Sequence, residues 1–569
     1  MNANDSTTPE GPKNGAELAI RLLERQGVTC IAGIPGGCNL PLYDALSQSK
    51  QIRHVLARHE QGAGFIAHGM ARTSGQPAVF FATSGPGATN TLTALADAKL
   101  DSVPIICITG QVACSMIGTD AFQEVDIYGM SVPVTKHNFL VHSIDELLRA
   151  IPEAFTIAAS GRPGPVLIDI PKDIQCAAVD CSILPEPGRA LPPLQPDPSL
   201  LEQAASMINA SEKPVLLFGG GAASPETART ALELVEQCGI PATMSLQGLG
   251  VIPVEHDLSL GMLGMHGSRS TNIIMEECDL LIVVGARFDD RATGKMERFC
   301  PNAKIIHIDT DAGEIGKLRT VDIGLAADAG LAMQALQSLL HRRPRTEWLE
   351  GIRSRKKLLD TSPDGAESPC SPYGIILCAA AMLGRNAIIT TDVGQHQMRV
   401  AQIYPFTRPE QWLTSGGLGT MGFGLPAAIG AALQNPEATV VCFTGDGSLL
   451  MNIQELATAA ETGANVKIVL CNNNGLGLVQ QQQDLFYSGR LFASRYSSEV
   501  DYLRIAEGFG IPALRLNASS DPLGALRAAL GKKGPCLLEV RIRAEDKVFP
   551  MVPPGAANSD MIGNLDGLL

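Results

Sequence analysis

One segment in the last third of the chain restricts the fold more than any other. The apolar run 440–444 is followed by Gly445-Asp446-Gly447-Ser448, a helical pattern over 449–462, a second apolar run at 466–471 and Asn472-Asn473. Two apolar runs joined by a helix predict a βαβ unit with parallel strands. Asp446 and Asn473 therefore each follow a parallel strand, where open α/β sheets bind their ligands.

The residue types at this sheet edge predict a metal ion and a diphosphate. Asp446, Asn473 and the carbonyl of Gly475 offer hard oxygen ligands, which Mg²⁺ takes while keeping positions for phosphate oxygens and water. Gly445 and Gly447 let the backbone approach a diphosphate, whose charge the following helix N-terminus favours. Gly-Asp-Gly alone is often only a turn. The Asn-Asn pair across the βαβ unit makes the metal–diphosphate site the favoured interpretation.

Two irregular stretches divide the 569 residues into three segments. Residues 185–198 contain six prolines, a density that excludes regular helix or sheet, whereas 341–372 is charged and then rich in Ser and Pro, with a first half suited to a surface helix. Each segment alternates short apolar strands with longer amphipathic helices, which predicts three α/β domains with parallel sheets. We expect these domains at 14–182, 199–340 and 372–545, and a C-terminal tail at 546–569.

The predicted strands are short apolar runs in all three domains. They lie at 30–34, 78–82, 105–109 and 166–170 in the first domain, at 215–218, 280–284 and 304–308 in the second, and at 387–391, 440–444, 466–471 and 536–541 in the third. Residues 61–72 and 89–98 are predicted helices of the first domain. The first and third domains therefore share a plan, though not a sequence.

Composition excludes several classes of partner. The net charge is −14, and no cluster of Lys or Arg offsets it, which argues against nucleic-acid binding. No run of about 20 apolar residues predicts a membrane span, and residues 1–14 lack the pattern of a signal or transit peptide. The fourteen cysteines occur singly, without Cys-x-x-Cys, so we expect buried reduced thiols and a cytoplasmic protein.

Several further motifs occur together with the Gly-Asp-Gly and Asn-Asn pair. They are RHEQGA at 58–63, SGPG at 84–87, GTDAFQE at 118–124, RFDDR at 287–291 and GQHQM at 394–398. With this set the chain resembles, over essentially its whole length, the large subunit of the acetohydroxyacid synthase (acetolactate synthase) family, in its bacterial isozyme I type. The resemblance implies an enzyme dependent on thiamine diphosphate (ThDP), with the three-domain fold of that superfamily.

The resemblance assigns the ThDP site to the first and third domains. Glu60 resembles the family glutamate that hydrogen-bonds the aminopyrimidine of ThDP and favours the tautomer able to take the C2 proton. Met398 resembles the residue that supports the bent cofactor. Gln123 and Lys172 match polar family positions near the active site and are implied to be catalytic residues, together with Glu60 and Met398. The remaining implied ThDP ligands are Gln395, His396, Gly419, Met421, Asp446, Gly447, Ser448, Asn473 and Gly475, of which Asp446, Asn473 and Gly475 hold Mg²⁺.

The central domain is implied to bind FAD. Three consecutive glycines, 219–221, follow the strand at 215–218, which by itself is weak evidence for a nucleotide. The resemblance implies FAD contacts at Arg162, Gly220, Leu263, Gly264, Met265, His266, Gly285, Arg287, Asp289, Asp309 and Asp328. In this family the flavin has no redox role in the net reaction and shapes the site.

The implied reaction is a decarboxylation followed by a carbon–carbon bond formation. Pyruvate is decarboxylated to a hydroxyethyl carbanion on ThDP, which attacks pyruvate or 2-ketobutyrate in the first common step towards valine, leucine and isoleucine. Arg291 matches the arginine associated with the acceptor carboxylate, a pairing that suits guanidinium chemistry. The resemblance also implies a homodimer, or a dimer of dimers, with active sites at the interface, and a small regulatory subunit. The residues alone do not choose between an intrachain and an interchain site.

Two positions depart from the family pattern, and three alternatives remain open. Gln482 stands where most members have a Trp that favours 2-ketobutyrate, and Ala113 stands where Pro is usual, so acceptor preference and herbicide sensitivity stay open.

The alternatives are a pyruvate oxidase-like relative with redox-active FAD, a flavin-free catabolic acetolactate synthase, and a catalytically silent scaffold. The joint presence of Glu60, Asp446 and Asn473 argues against a silent scaffold.

Overall fold

The computed structural model describes residues 11–180, 183–360 and 365–563. The chain forms two compact units. The first ends at Pro192 and the second begins at Pro193, inside the predicted proline-rich linker. The central and C-terminal domains belong to one unit. The predicted domain end at 182, the last six residues of the predicted tail and the first ten residues of the chain lie outside the described residues.

The first unit contains a six-stranded parallel sheet with strand order β2-β1-β3-β4-β6-β5. Its strands are β1 Cys30–Gly33, β2 Arg53–Leu56, β3 Ala78–Ala82, β4 Ile105–Gln111, β5 His137–Leu140 and β6 Val166–Pro171. Its helices are α1 Gly15–Arg25, α2 Leu40–Gln48, α3 Glu60–Ser74, α4 Pro86–Thr89, α5 Leu92–Leu100, α6 Ile127–Ser131, α7 Ile144–Ala159 and α8 Lys172–Cys176. All residues of β4 and β6 are buried, as expected for a parallel sheet covered on both faces.

The four strands predicted in the first unit are confirmed, and the predicted helix at 61–72 lies within α3. The predicted helix at 89–98 is wrong at its start, because α4 ends at Thr89 and α5 begins at Leu92. The hydroxyl of Thr91 donates to the carbonyl of Ala88 at 2.6 Å, which competes with the continuous helical ladder. Strand β2 escaped prediction because only one of its four residues is buried.

The central sheet is also parallel, with strand order β12-β11-β10-β7-β8-β9. Its strands are β7 Pro214–Phe218, β8 Ala242–Met244, β9 Ser259–Met262, β10 Leu280–Val284, β11 Lys304–Asp309 and β12 Ile323–Ala326. The accompanying helices are α9 Pro198–Ala210, α10 Pro225–Cys238, α11 Arg269–Glu277, α12 Asp290–Thr293, α13 Ala329–Gln337 and α14 Thr346–Leu359. Helix α14 occupies the first half of the second predicted linker, as expected, and buries Trp348 and Ile352.

The third sheet has the order β14-β13-β15-β16-β18-β17 and is again entirely parallel. Its strands are β13 Ile388–Thr391, β14 Trp412–Leu413, β15 Val440–Gly445, β16 Val466–Asn472, β17 Ala513–Arg515 and β18 Cys536–Arg541. Its helices are α15 Gly374–Met382, α16 Gln395–Ile403, α17 Gly424–Gln434, α18 Asp446–Leu449, α19 Glu455–Thr462, α20 Gly477–Phe486, α21 Tyr502–Gly508 and α22 Pro522–Gly531. Three parallel-sheet α/β domains, as predicted, therefore make up the fold.

One apolar cluster explains why the second and third sheets share a unit. It runs through both sheets and includes Phe406 and Trp412, whose rings lie 5.0 Å apart. The indole nitrogen of Trp412 also donates to the carbonyl of Leu246 in the central domain, at 2.8 Å. The exact domain limits at 199–340 and 372–545 stay predictions.

The cysteine prediction holds in part. All thirteen cysteines in the described residues are free, and seven are buried, namely Cys107, Cys238, Cys278, Cys300, Cys442, Cys471 and Cys536. Cys176 is exposed, and the other five are partly buried. Cys181 lies outside the described residues.

Candidate active site

Asp446 lies directly after β15, at the carboxyl edge of the third sheet, and is almost fully buried. Its Oδ2 accepts a hydrogen bond from the backbone N–H of Gly475 at 2.8 Å, and its Oδ1 accepts one from Gly447 at 3.0 Å. Burial raises the pKa of Asp446 to about 6 even though these bonds favour the charged form. A carboxylate in this position is therefore best stabilised by a bound cation.

Asn473 and Gly475, in the loop after β16, complete a cluster of oxygens around Asp446. The Asn473 amide is directed at the Gly475 carbonyl, 2.8 Å away, and at Oδ1 of Asp446, 3.3 Å away. With the amide oxygen in this position, three oxygens converge without a donor, whereas the turned amide would donate to both neighbours. Adjacent oxygens around octahedral Mg²⁺ are about 3 Å apart. The donor set therefore fits the predicted metal.

A cavity of about 190 Å³ opens beside these oxygens. It is lined by most of the predicted third-domain residues, namely Gln395, His396, Gly419, Met421, Asp446, Gly447, Ser448, Asn473, Gly475 and Gln482. The Oε1 atom of Gln395 and the Nε2 atom of His396 are buried without a hydrogen-bond partner. Unsatisfied polar atoms of this kind are costly, so their presence beside a cavity indicates a ligand site.

His396 is held in its neutral form. Burial is the main cause that lowers the pKa of His396 to about 3, and the positive charge of Arg399 is the second. A Cβ atom on Gly445 would stand 3.1 Å from the imidazole ring, so only glycine lets the strand end approach it closely. The neutral ring has one donor and one acceptor nitrogen, of which Nε2 is the one without a partner among the described residues.

The structure separates two predicted methionines. Met421 lines the cavity, and its Cε lies 3.6 Å from the point where a Cβ of Gly447 would stand. Met398, in the first turn of α16, is half-buried and is absent from the described residues that line the cavity. The support of the cofactor by Met398 stays a prediction. Met421, which lines the cavity, is better placed for that role.

In the first unit, Glu60 begins helix α3 shortly after β2. Its Oε2 accepts a hydrogen bond from the side-chain amide of Asn90 at 2.9 Å. Its Oε1 lies 3.3 Å from the point where a Cβ on Gly87 would stand, so the glycine leaves this oxygen accessible. Asn90 carries no recognisable motif, and only the pairing of α3 with the loop after α4 reveals it.

Gln123 and Lys172 lie at the same carboxyl edge of the first sheet. A Cβ on Gly85 would stand 2.8 Å from the carbonyl of Gln123, which places the 118–124 loop against the loop after β3. Gln123 has a φ of +60°, an uncommon conformation for a non-glycine residue. Lys172 is the exposed first residue of α8, directly after β6.

The 118–124 loop is shaped by Glu124. Its carboxylate accepts hydrogen bonds from the backbone N–H groups of Gly118, Thr119 and Ala121. These bonds lower the pKa of Glu124, and the bond from Gly118 has the largest effect. Glu124 therefore organises the loop that carries Gln123, a role that the sequence motif alone did not reveal.

The predicted FAD residues of the second unit gather at the carboxyl edge of the central sheet. The backbone N–H of Gly221, after β7, donates to the carbonyl of Gly285, after β10, at 2.9 Å. A side chain on Gly219 or Gly285 would collide with the facing loop. Strand order reverses between β7 and β10, the position where α/β sheets bind nucleotides, so this edge fits a dinucleotide. Gly220, Arg287, Asp309 and Asp328 lie at the same edge, where Asp309 is buried and Asp328 caps α13.

The segment Leu263–His266 is anchored by a residue that sequence analysis missed. The buried Asn272 side chain accepts from the N–H of Gly264 and donates to its carbonyl, both at 2.9 Å. His266 is buried and its Nδ1 lies 3.0 Å from the carbonyl of Pro550, while burial lowers its pKa to about 4.

Arg291 and Arg162 occupy different kinds of position. Arg291 is exposed, and Asp289 caps its short helix by accepting from the N–H groups of Arg291 and Ala292. Arg162 precedes β6 and therefore lies at the amino edge of the first sheet, opposite the edge that carries Glu60. Its Nε donates to the hydroxyl of Ser102 at 2.9 Å.

Comparison with known proteins connects this geometry to a family. The chain matches the families described as thiamine pyrophosphate enzyme N-terminal TPP binding domain at residues 13–130, central domain at 201–336, and C-terminal TPP binding domain at 392–540. It is 56% identical to the acetolactate synthase isozyme 1 large subunit of Escherichia coli K12, an alignment that covers 99% of this chain and all of the relative.

Further relatives carry the same name. Identity is 45% to the isozyme 2 large subunit of Escherichia coli K12, over 97% of this chain and all of the relative. Identity is also 45% to the chloroplastic acetolactate synthase 1 of Nicotiana tabacum, over 98% of this chain and 86% of the relative. The chain belongs to the acetolactate synthase family. Within this acetolactate synthase fold, the two matched TPP-binding domains contain Glu60 and the Asp446 cluster, which supports ThDP as the cofactor.

The described part of this acetolactate synthase family member has no helix with the length and apolar character that crossing a membrane requires.

The oxygen cluster predicts the result of removing Asp446. Asp446→Ala should weaken Mg²⁺-dependent ThDP binding at least about 100-fold, because the remaining oxygens no longer balance the metal charge. Isothermal titration with ThDP, with and without Mg²⁺, measures this effect. FAD binding, followed by flavin absorbance, should be unchanged. Glu437→Ala, which removes an exposed carboxylate of the same domain, is the matched control. Unchanged ThDP affinity in Asp446→Ala would place the metal elsewhere.

Proposed function

We propose that this chain is the catalytic large subunit of an acetolactate synthase. It decarboxylates pyruvate and joins the remaining two carbons to a second pyruvate or to 2-ketobutyrate, the first common step of valine, leucine and isoleucine biosynthesis. The observation that carries the proposal is the convergence of Asp446, Asn473 and Gly475 beside a cavity with unsatisfied polar atoms, in a chain 56% identical to a protein of that name.

The proposed cofactors are ThDP, Mg²⁺ and FAD. When bound, ThDP supplies a thiazolium carbon that stabilises negative charge next to it, which neither a side chain nor a metal does at this position. Asp446, Asn473 and the carbonyl of Gly475 hold Mg²⁺ and, through it, the diphosphate. Gln395, His396 and Ser448 border the same cavity and orient the diphosphate there.

Glu60 is the proposed acid–base group of the chain. Its Oε2 is fixed by Asn90, so one oxygen stays in place while the other remains available for the cofactor. Such a carboxyl group exchanges a proton with the aminopyrimidine, which general acid–base catalysis requires to be within hydrogen-bond reach. Met398 and Met421 are the proposed supports of the bent cofactor.

Gln123 and Lys172 are further proposed catalytic residues, and the proposed substrate-binding residues are Arg291 and Gln482. Arg291 is exposed, which leaves its guanidinium accessible for the acceptor carboxylate. Glu60 and Asp446 belong to different compact units of the chain. From the resemblance to the family we propose a homodimer, or a dimer of dimers, in which active sites form at the interface, located in the cytoplasm.

FAD is proposed to have a structural role. Its proposed contacts are the glycines after β7 and β10, residues 263–266, Arg287, Asp289, Asp309, Asp328 and Arg162.

One assay tests the function and separates the alternatives. Purified protein is incubated with pyruvate, ThDP, Mg²⁺ and FAD, and acetolactate, acetate and peroxide are measured. Acetolactate alone supports the proposal. Acetate with peroxide indicates an oxidase, full activity without flavin indicates a catabolic synthase, and no product indicates a scaffold.

Glu60→Gln should retain ThDP binding and lose most of its turnover. The amide cannot exchange the proton that the aminopyrimidine needs, and catalysis of this kind contributes roughly 10²–10⁴-fold. Initial rates at saturating ThDP, together with titrated ThDP affinity, measure the two effects separately. Nearly full turnover in the variant would remove Glu60 from the mechanism.

Gln482 should give this protein a weak preference between its two acceptors. Gln482 lies at the exposed rim of the cavity, where a flexible polar side chain makes little contact with the additional methyl group of 2-ketobutyrate. Discrimination by one methylene is worth about 1–3 kcal/mol in an apolar pocket. Gln482→Trp should therefore raise the acetohydroxybutyrate share in competition assays, and Gln482→Leu should raise it less. A product ratio that neither variant changes would contradict this account.

We also propose a small regulatory subunit that raises activity and confers inhibition by an end-product amino acid. The support is the name "large subunit" carried by two of the relatives. Purification from the native source should yield a second, smaller chain, and its removal should lower activity and abolish the inhibition. A large subunit that is isolated alone with full activity would contradict this proposal.

A further inference from the structure

Gln481 makes a set of hydrogen bonds that the proposed chemistry does not use. This side chain of α20 is almost fully buried. Its Oε1 accepts from the side-chain amide of Gln395 at 3.0 Å and from the backbone N–H of Val548 at 2.8 Å. Its Nε2 donates to the carbonyl of Val548 at 2.9 Å. One amide thus joins a cavity-lining residue to both backbone groups of a residue in the C-terminal tail.

The tail continues from Val548 to the segment proposed to bind FAD and the acceptor. The backbone N–H of Val552 donates to the carbonyl of Met265 at 2.9 Å. The N–H of Met265 in turn donates to the carbonyl of Arg291 at 2.8 Å, and the Sδ of Met265 lies 3.7 Å from Nη1 of Arg291. A path of hydrogen bonds and the intervening tail backbone, 548–552, therefore leads from Gln395, through Gln481, to the backbone of Arg291.

A second contact fixes the tail against the Arg291 helix. The buried side-chain amide of Asn558 donates to the carbonyl of Ala292 at 2.9 Å. The backbone around Arg291 is thus bonded to the tail directly at Ala292 and indirectly through Met265, although the Arg291 side chain is exposed.

The cavity end of the path lies beside Asn473, one of the proposed metal ligands. The Oε1 of Gln395 is buried and accepts no hydrogen bond. A Cβ on Gly477 would stand 2.5 Å from this oxygen and would also collide with the Asn473 amide, so both groups approach the same point. Mg²⁺ retains bound waters, which are donors suited to an oxygen in this position.

We propose that Gln481 is a positioning residue that couples the cofactor-facing amide of Gln395 to the C-terminal tail and, through Met265, to Arg291. This inference rests on the proposed function, because it assigns ThDP and Mg²⁺ to the cavity and an acceptor ketoacid to Arg291. Occupation of the metal site fixes Gln395, Gln395 fixes Gln481, and Gln481 holds the tail that places Arg291. Gln481 contacts neither substrate nor reacting atoms.

Gln481→Met tests the coupling with a side chain of similar length that cannot make these bonds. The variant leaves the Gln395 amide and both backbone groups of Val548 without partners, which is costly for buried groups. We expect kcat/KM for the acceptor ketoacid to fall on the order of 10–100-fold, mainly through KM, because misplacement of a positioning group has effects of this size. The rate of pyruvate decarboxylation without an acceptor should change less.

Amide hydrogen exchange of peptides from 546–563 gives a readout that does not depend on activity. In the unmodified protein, addition of ThDP and Mg²⁺ should slow exchange in this segment. In Gln481→Met, exchange should be fast and should not respond to the cofactors. Gln483→Met is the matched control, because Gln483 lies on the same helix and also bonds a loop backbone, at Phe492, but contacts neither Gln395 nor the tail. Its tail exchange should respond as in the unmodified protein.

The outcomes separate this inference from the proposed function. If the unmodified protein forms no acetolactate, the proposed function fails whatever the exchange data show. If it forms acetolactate and Gln481→Met retains both its acceptor KM and its cofactor-dependent tail exchange, the inference is overturned. Should Gln481→Met not fold, Gln481→Asn, which keeps the amide but is one methylene shorter, should show the same loss of cofactor response. An unchanged response in that folded variant would also overturn the inference.

Discussion

The buried carboxylate of Asp446 is the interaction on which the C-terminal site depends. Two backbone N–H groups hold its oxygens, and one of them belongs to Gly475, whose own carbonyl faces the same point. Because burial raises the pKa of Asp446, the carboxylate is stabilised by a positive charge beside it, and the Asn473 amide and the Gly475 carbonyl converge on the place where one would bind.

The same principle organises the other two sheets, with different chemistry at each carboxyl edge. In the first sheet a carboxyl group, Glu60, is fixed by Asn90 and left accessible by Gly87. In the central sheet, contact between the backbones after β7 and β10 leaves a surface for a nucleotide at the reversal of strand order. Parallel strands present their ends on one side, so each sheet provides a rigid frame for groups that catalysis must hold in place.

The C-terminal tail shows how segments without regular structure take part in such a site. It has few side chains of obvious chemical function. Its backbone nevertheless bonds Gln481 of the third domain and Met265 of the central domain, and the side chain of Asn558 bonds the helix of Arg291. A loop segment that satisfies buried polar groups of two domains fixes their geometry as effectively as a packed helix.

Local sequence pattern was sufficient for the fold class and for much of the third-domain site. Apolar runs with helical spacers predict parallel strands, and residues that directly follow those strands must lie at one edge, so Asp446, Asn473 and Gly475 were predictable together. The helix break at residues 90–91 was not, because apolar periodicity does not register the turn in which the Thr91 hydroxyl bonds the carbonyl of Ala88. Sequence placed both Met398 and Met421 at the cofactor, and of the two only Met421 is among the described residues that line the cavity.

Only the tertiary structure decided which distant residues act on these groups. Asn90 meets Glu60, Asn272 clamps Gly264, Glu124 shapes the loop of Gln123, and Gln481 joins Gln395 to the tail. Glu124 belongs to a motif that does not reveal this role, and no motif marks Asn90, Asn272 or Gln481. An amide or carboxylate side chain in a helix or loop carries the same sequence signal whether it faces solvent or a buried partner. Sequence determined the strand ends, because hydrophobic periodicity is local. The hydrogen-bond partners depend on how the loops after those strands pack, which local pattern does not encode.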